Sequence, residues 1–176
     1  MPNWTVALVY RLDRFGRGGD HSAFNALGYP AVRFTENAED YRHQHQDLRT
    51  EGGVEYGDTI AHLDFPYLAK VTATNALTAA SMASAPPPPT DVKIDGAVTS
   101  DTRLSWTGSS GTGYRVYWRD TTEPAWAHSR DAGNASNLTL ANVAIDDFVF
   151  GVASVSADGF ESPVVFPGAA GAFWAH

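Results

Sequence analysis

Thr102-Arg103-Leu104-Ser105-Trp106, followed by Tyr114-Arg115-Val116-Tyr117-Trp118-Arg119, decides the fold of the second half of this chain. Apolar residues fall at every second position, the period of a strand with one buried face. Leu104-x-Trp106 and Tyr114-x-Val116-x-Trp118 are expected to put large side chains on one face of neighbouring strands. Working outward, Val92-Lys93-Ile94, Leu138-Thr139-Leu140, Phe148 to Val155 and Pro163-Val164-Val165-Phe166 alternate or run apolar. Clusters of Gly, Ser, Asn and Asp separate them. Short strands at this spacing predict an all-β sandwich over 90–167, with a tail over 168–176. The stretch 121–137 carries no regular pattern.

Upstream, Pro86-Pro87-Pro88-Pro89 can only be extended, and it serves as a semi-rigid spacer over 86–89. The residues before it predict a helix from Phe65 to Ser84. Asp64 supplies the N-cap, and Pro66 sits in the first turn, where its missing N–H costs little. Phe65, Leu68, Ala76, Ala79 and Met82 recur at helical spacing. A domain boundary is therefore expected at residues 85–89.

The first part, 1–85, alternates element types. Thr5–Arg11 and Ala31–Thr35 read as strands. A short helix from His21 to Leu27 lies between them, capped by Asp20 and closed by Gly28. A long polar loop then runs through Asp58. Strand–helix–strand predicts a parallel crossover, hence an α/β domain whose core is thin for its length.

Composition narrows the function. The chain has 176 residues, no cysteine and a net charge of −8. Residues 1–85 carry −3 and residues 86–176 carry −5, so neither half offers the positive field that a nucleic-acid partner needs. No apolar stretch approaches the roughly 20 residues of a membrane span. The opening apolar run, Val6 to Tyr10, is too short for a secretory signal. Without cysteine there is no disulfide, no thiol nucleophile and no thiolate ligand, and a metal site must use His, Asp and Glu.

Two segments could carry chemistry. Asp13-Arg14-Phe15-Gly16-Arg17-Gly18-Gly19-Asp20-His21 follows an expected strand, where α/β sheets place their sites. It lacks the Gly-Lys-Ser/Thr ending of a phosphate loop. Taken by itself, it reads as a glycine loop with a capping Asp. Glu36-Asn37-Ala38-Glu39-Asp40-Tyr41-Arg42-His43-Gln44-His45-Gln46-Asp47 sets two imidazoles among carboxylates. That combination suits zinc ligands and the partners that orient them, although His-x-His in a polar loop is also an ordinary solvated loop. His62, His128 and His176 have no such setting. Ser22 beside His21 is no triad, because adjacent residues cannot form that geometry. No Gly-x-Ser-x-Gly elbow is present.

Taken together, Gly16 to Phe24, Gly28-Tyr29-Pro30-Ala31-Val32 and Tyr41 to Asp47 resemble the C-terminal part of the co-catalytic zinc aminopeptidases, metallopeptidase family 28. The match runs from residue 4 to about residue 84. Residues 90–167 resemble a fibronectin type III domain. The resemblance implies a partial phosphorylase/hydrolase-like α/β exopeptidase domain followed by a fibronectin type III-like sandwich. It implies two zinc ions that activate a water, a peptide substrate, and an extracellular or periplasmic location. It also implies that His43 or His45 is the last metal ligand, with His45 slightly favoured. Asp20, His21 and Tyr41 would line the pocket or orient the ligands.

The family's other ligands and its general base have no counterpart here, so no catalytic residue is assigned. The chain is expected to be an incomplete peptidase that is inactive alone, with the missing N-terminal part of the domain as its partner. The competing reading is a non-catalytic binding module on a degenerate scaffold, using exposed aromatics such as Trp118 and Trp126. A third is a subunit that completes another chain's sheet.

Overall fold

A computed structural model describes residues 4–11, 13–36, 38–109 and 112–168. Two units are distinguished, Met1–Asn75 and Ala76–His176.

The first unit begins with extended chain. The expected strands 5–11 and 31–35 do not form: neither segment belongs to a sheet. A strand exists only where a neighbour completes its ladder, and an apolar sequence alone does not supply one. Val6, Leu8, Val9 and Tyr10 are all exposed. The parallel crossover is therefore absent from the described residues. Trp4 is held instead against the long helix, donating from Nε1 to Thr74 Oγ1 at 2.9 Å and meeting the Tyr67 ring edge-on.

Helix α1 spans His21–Ala26. Gly28, at φ +83°, turns the chain out of it, as expected. Asp20 stands at the N-cap but makes no capping hydrogen bond. The expected polar loop contains a hairpin, β1 (Arg49–Glu51) and β2 (Val54–Tyr56), paired antiparallel. Gly52 and Gly53 both have positive φ, which a two-residue turn of this hand requires. A 3-10 turn, Ile60–His62, leads to α2, Phe65–Ser84. Asp64 Oδ1 accepts from the Tyr67 N–H at 2.9 Å, the expected cap. Among the described residues of this unit, no apolar side chain is fully buried.

The second unit has the core. Its strands are β3 (Thr90–Asp95), β4 (Thr102–Thr107), β5 (Gly113–Asp120), β6 (His128–Gly133), β7 (Asn137–Leu140) and β8 (Phe148–Val155). They form two antiparallel sheets, ordered β3-β4-β7 and β6-β5-β8. Inward side chains from both sheets make one cluster: Val92, Leu104, Trp106 and Leu140 from the first, Tyr114, Val116, Phe150 and Val152 from the second. This is the expected all-β sandwich.

Three details differ from expectation. Leu104-x-Trp106 and Tyr114-x-Val116 lie in opposite sheets, not on neighbouring strands, and they meet across the core with the Trp106 and Tyr114 rings 5.5 Å apart. β6 forms inside the stretch that showed no pattern. The expected strand at 163–166 is reduced to one isolated bridge, Val165 with Val152.

Candidate functional site

The two polar segments singled out in the first unit are brought together. Arg14 donates from Nη1 to both Glu39 oxygens, at 2.9 and 3.1 Å. Arg17 Nη1 reaches Glu39 Oε2 at 3.1 Å, and Arg33 Nη2 reaches Oε1 at 3.5 Å. The Thr35 hydroxyl donates to Glu39 Oε1 at 2.9 Å. Asp13 accepts from the Arg14 backbone N–H at 2.7 Å and from Arg33 Nη1 at 3.4 Å. Its other oxygen lies 3.7 Å from Nε2 of the buried His21.

Three guanidinium groups thus enclose two carboxylates. The Thr35 hydroxyl, reinforced by the charge of Arg14 and by the Tyr41 hydroxyl, holds the Glu39 carboxyl down at about 2. Asp13 is also held below the usual carboxylate range, chiefly by the Arg14 backbone N–H. A general base serves best when its pKa lies near the working pH, so Glu39 is unsuited to that role. What the cluster does is brace one segment against the other. Of the expected pocket residues, His21 and Tyr41 border it, with the Arg17 guanidinium 5.6 Å from the Tyr41 ring centre. Asp20 is exposed and takes no part.

The two candidate metal ligands have different settings. His43 is half-buried, and its Nδ1 lies 3.2 Å from the Gly57 carbonyl oxygen. A carbonyl only accepts, so the bond calls for the proton on Nδ1, and in the neutral imidazole Nε2 then bears the lone pair. Metal-binding imidazoles are commonly oriented by this kind of bond. The β1–β2 hairpin makes the contact possible: it folds Gly57 back so that its N–H donates to the Arg42 carbonyl at 2.8 Å. The His62 ring stacks on His43 at 3.5 Å between centres. Asp40 Oδ2 is 3.9 Å from His43 Nε2. Paired with Arg42, whose guanidinium donates to it, Asp40 stays ionised well below the usual range. His45, by contrast, is exposed and sits at φ +53°, in the left-handed region.

Among the described residues, no group of three or more His, Asp or Glu side chains could hold a metal ion. One oriented imidazole fits zinc, but the described residues do not complete a zinc centre. Sequence reasoning missed Asp13, Arg14, Arg33 and Glu39 as one cluster, and it missed His62. Their partners lie 14 to 25 positions apart in the pairs Arg14–Glu39 and His43–Gly57, which residue spacing alone does not connect.

No protein-family model matches the chain. It is similar to a protein of Leptosphaeria maculans called "Probable zinc metalloprotease", with 48% identity over 166 residues. Proteins with the same name from Pyrenophora teres f. teres and Pyricularia oryzae are 44% and 43% identical. Each alignment covers 92% of this chain, but only 38%, 34% and 34% of the respective relative. The chain therefore spans little more than a third of the length of these curated relatives. Among solved structures, the fn3 domain of human collagen alpha-1(XX) matches at 20% identity and a TM-score of 0.40, over 47% of this chain and 82% of that one. The FN5 domain of Drosophila Lar matches at 18% and 0.35, over 46% and 96%.

Proposed function

We propose that this chain is the C-terminal share of a secreted zinc exopeptidase of metallopeptidase family 28, with an aminopeptidase-like action on peptides. The observation that carries the reading is the 48% identity, across 92% of the chain, to a relative called a zinc metalloprotease. In this reading the prolines 86–89 separate the peptidase share from the fibronectin-like domain. His43 or His45 contributes one imidazole to a two-zinc centre, and the remaining ligands and the general base come from polypeptide outside this chain. The hydrogen bond from His43 Nδ1 to Gly57 favours His43, because it leaves Nε2 free to ligate. Zinc, when bound, supplies an activated water. The described residues of this chain hold and orient one ligand and carry no hydrolytic step by themselves.

The test is complementation. The purified chain with zinc should not hydrolyse leucine p-nitroanilide. Mixed with the remaining part of the Leptosphaeria maculans relative, it should regain turnover, and His43→Ala should abolish it. Turnover by the chain alone would overturn the shared-site reading. Failure of every mixture, with both parts folded, would leave the non-catalytic binding module as the better account.

A further inference from the structure

Asn137-Leu138-Thr139 fits the Asn-x-Ser/Thr acceptor pattern, as does Asn134-Ala135-Ser136. Asn3-Trp4-Thr5 fits it too, but Asn3 lies outside the described residues. Asn137 opens β7 and is exposed. It pairs with Ser105 on β4, which in turn pairs with Lys93 on β3. Thr102, Leu104 and Trp106 of β4 are buried, so Arg103, Ser105 and Thr107 face outward. Asn137 shares that outer face. Beside it opens a hollow of about 270 Å³, lined by Lys93, Arg103, Ser105, Thr107, Ser136 and Asn137 among others. The two cations, the hydroxyls and the Asp91 carboxylate there offer donors and acceptors suited to a sugar. Asn134 stands apart from the hollow, in the turn where the Ala135 N–H donates to the Ala132 carbonyl.

We propose that Asn137 carries an N-linked glycan and that the adjoining hollow receives its first sugar. The inference rests on the secreted reading given above. The reaction needs a lipid-diphosphate-linked oligosaccharide. The Asn137 side-chain nitrogen attacks the anomeric carbon of the first sugar and the carbon–oxygen bond to the diphosphate breaks. The amide gives up one proton, and the lipid diphosphate leaves carrying it.

The chain is expressed behind a cleavable secretion leader in a eukaryotic host, and total extract is scored so that retained variants are still counted. Expected for the wild type is a glycan removable by peptide N-glycosidase, with the resulting Asp mapped to position 137 by peptide mass spectrometry. Asn137→Gln and Thr139→Ala should both lose it, while Asn134→Gln keeps it. A wild type unmodified at position 137, or modified only at another acceptor, overturns the proposal. Because the leader imposes the route and no hydrolysis is measured, this result is independent of the peptidase test.

Discussion

The Arg14 guanidinium holds both oxygens of the Glu39 carboxylate, 25 positions away in the chain, at 2.9 and 3.1 Å. The unit has no buried apolar core among its described residues, so such polar links carry much of its organisation. The two segments with the most unusual composition are thereby tied into one surface.

The acid response of this tie follows from the sign of the Glu39 shift. Its carboxyl titrates at about 2 in the folded chain, against an ordinary value of 4.5. A group with a depressed folded pKa stabilises fully above its unfolded value. That stabilisation is lost as pH falls from about 4.5 towards about 2. Hydrogen exchange at residues 13–39, taken relative to its intrinsic rate at each pH, should therefore rise over that window in the wild type. In Glu39→Gln it should already be raised at neutral pH, with a flatter pH response. An identical pH profile in the two proteins would show that the cluster does not brace the segments.

Gly57 controls the setting of His43. It has φ +113°, and an added Cβ would come 2.5 Å from Leu48 Cδ2 and 2.9 Å from Leu48 Cα. Gly57→Ala should destabilise the β1–β2 hairpin by about 1–3 kcal/mol, the usual cost of a strained backbone. Hydrogen exchange of the Thr50 and Glu55 amides reads the hairpin. The imidazole nitrogen shifts of His43 read the loss of its Nδ1 bond. If those shifts stay unchanged while the hairpin loosens, Gly57 does not fix the tautomer.

What the sequence revealed depends on how local the signal was. α2 was legible because Asp64 and the prolines mark its ends, and β8 because Phe148 to Val155 is one apolar run. β6 was hidden: His-Ser-Arg-Asp-Ala-Gly is an edge strand exposed at every residue but Ala132, so it shows no alternation. The β1–β2 hairpin was signalled only by Gly52-Gly53, since Arg49-Thr50-Glu51 has no apolar residue. Thr5–Arg11 misled in the other direction, because an apolar run marks residues that can be buried and not a partner that buries them. For the site, composition picked out the right segments. Which atoms meet was set by contacts between distant positions, such as Arg14 with Glu39 and His43 with Gly57.

In the second unit, Leu104 is fully buried where the two sheets meet. Leu104→Ala should cost about 2–5 kcal/mol, since it removes apolar contacts and leaves a cavity that a β-sandwich closes poorly. Urea unfolding followed by tryptophan fluorescence would measure it. A loss below about 1 kcal/mol would mean that the sheets relax into the gap.

Thr102 tests a different kind of contribution. It is as buried as Leu104, and its hydroxyl donates to the Val143 carbonyl at 2.7 Å. Thr102→Val keeps the shape and removes the donor, so the apolar term barely changes while the Val143 carbonyl loses its partner. The cost of one such orphaned group is about 1–3 kcal/mol. The loss should appear locally, as faster exchange across residues 143–147, before it appears in the global unfolding midpoint. Val143 and Ile145 pack on the core, so this loop must be held close to it. A neutral Thr102→Val would mean that packing alone holds the loop. A loss comparable to that of Leu104→Ala would mean that the hydrogen bond governs the closure of the sandwich at that end.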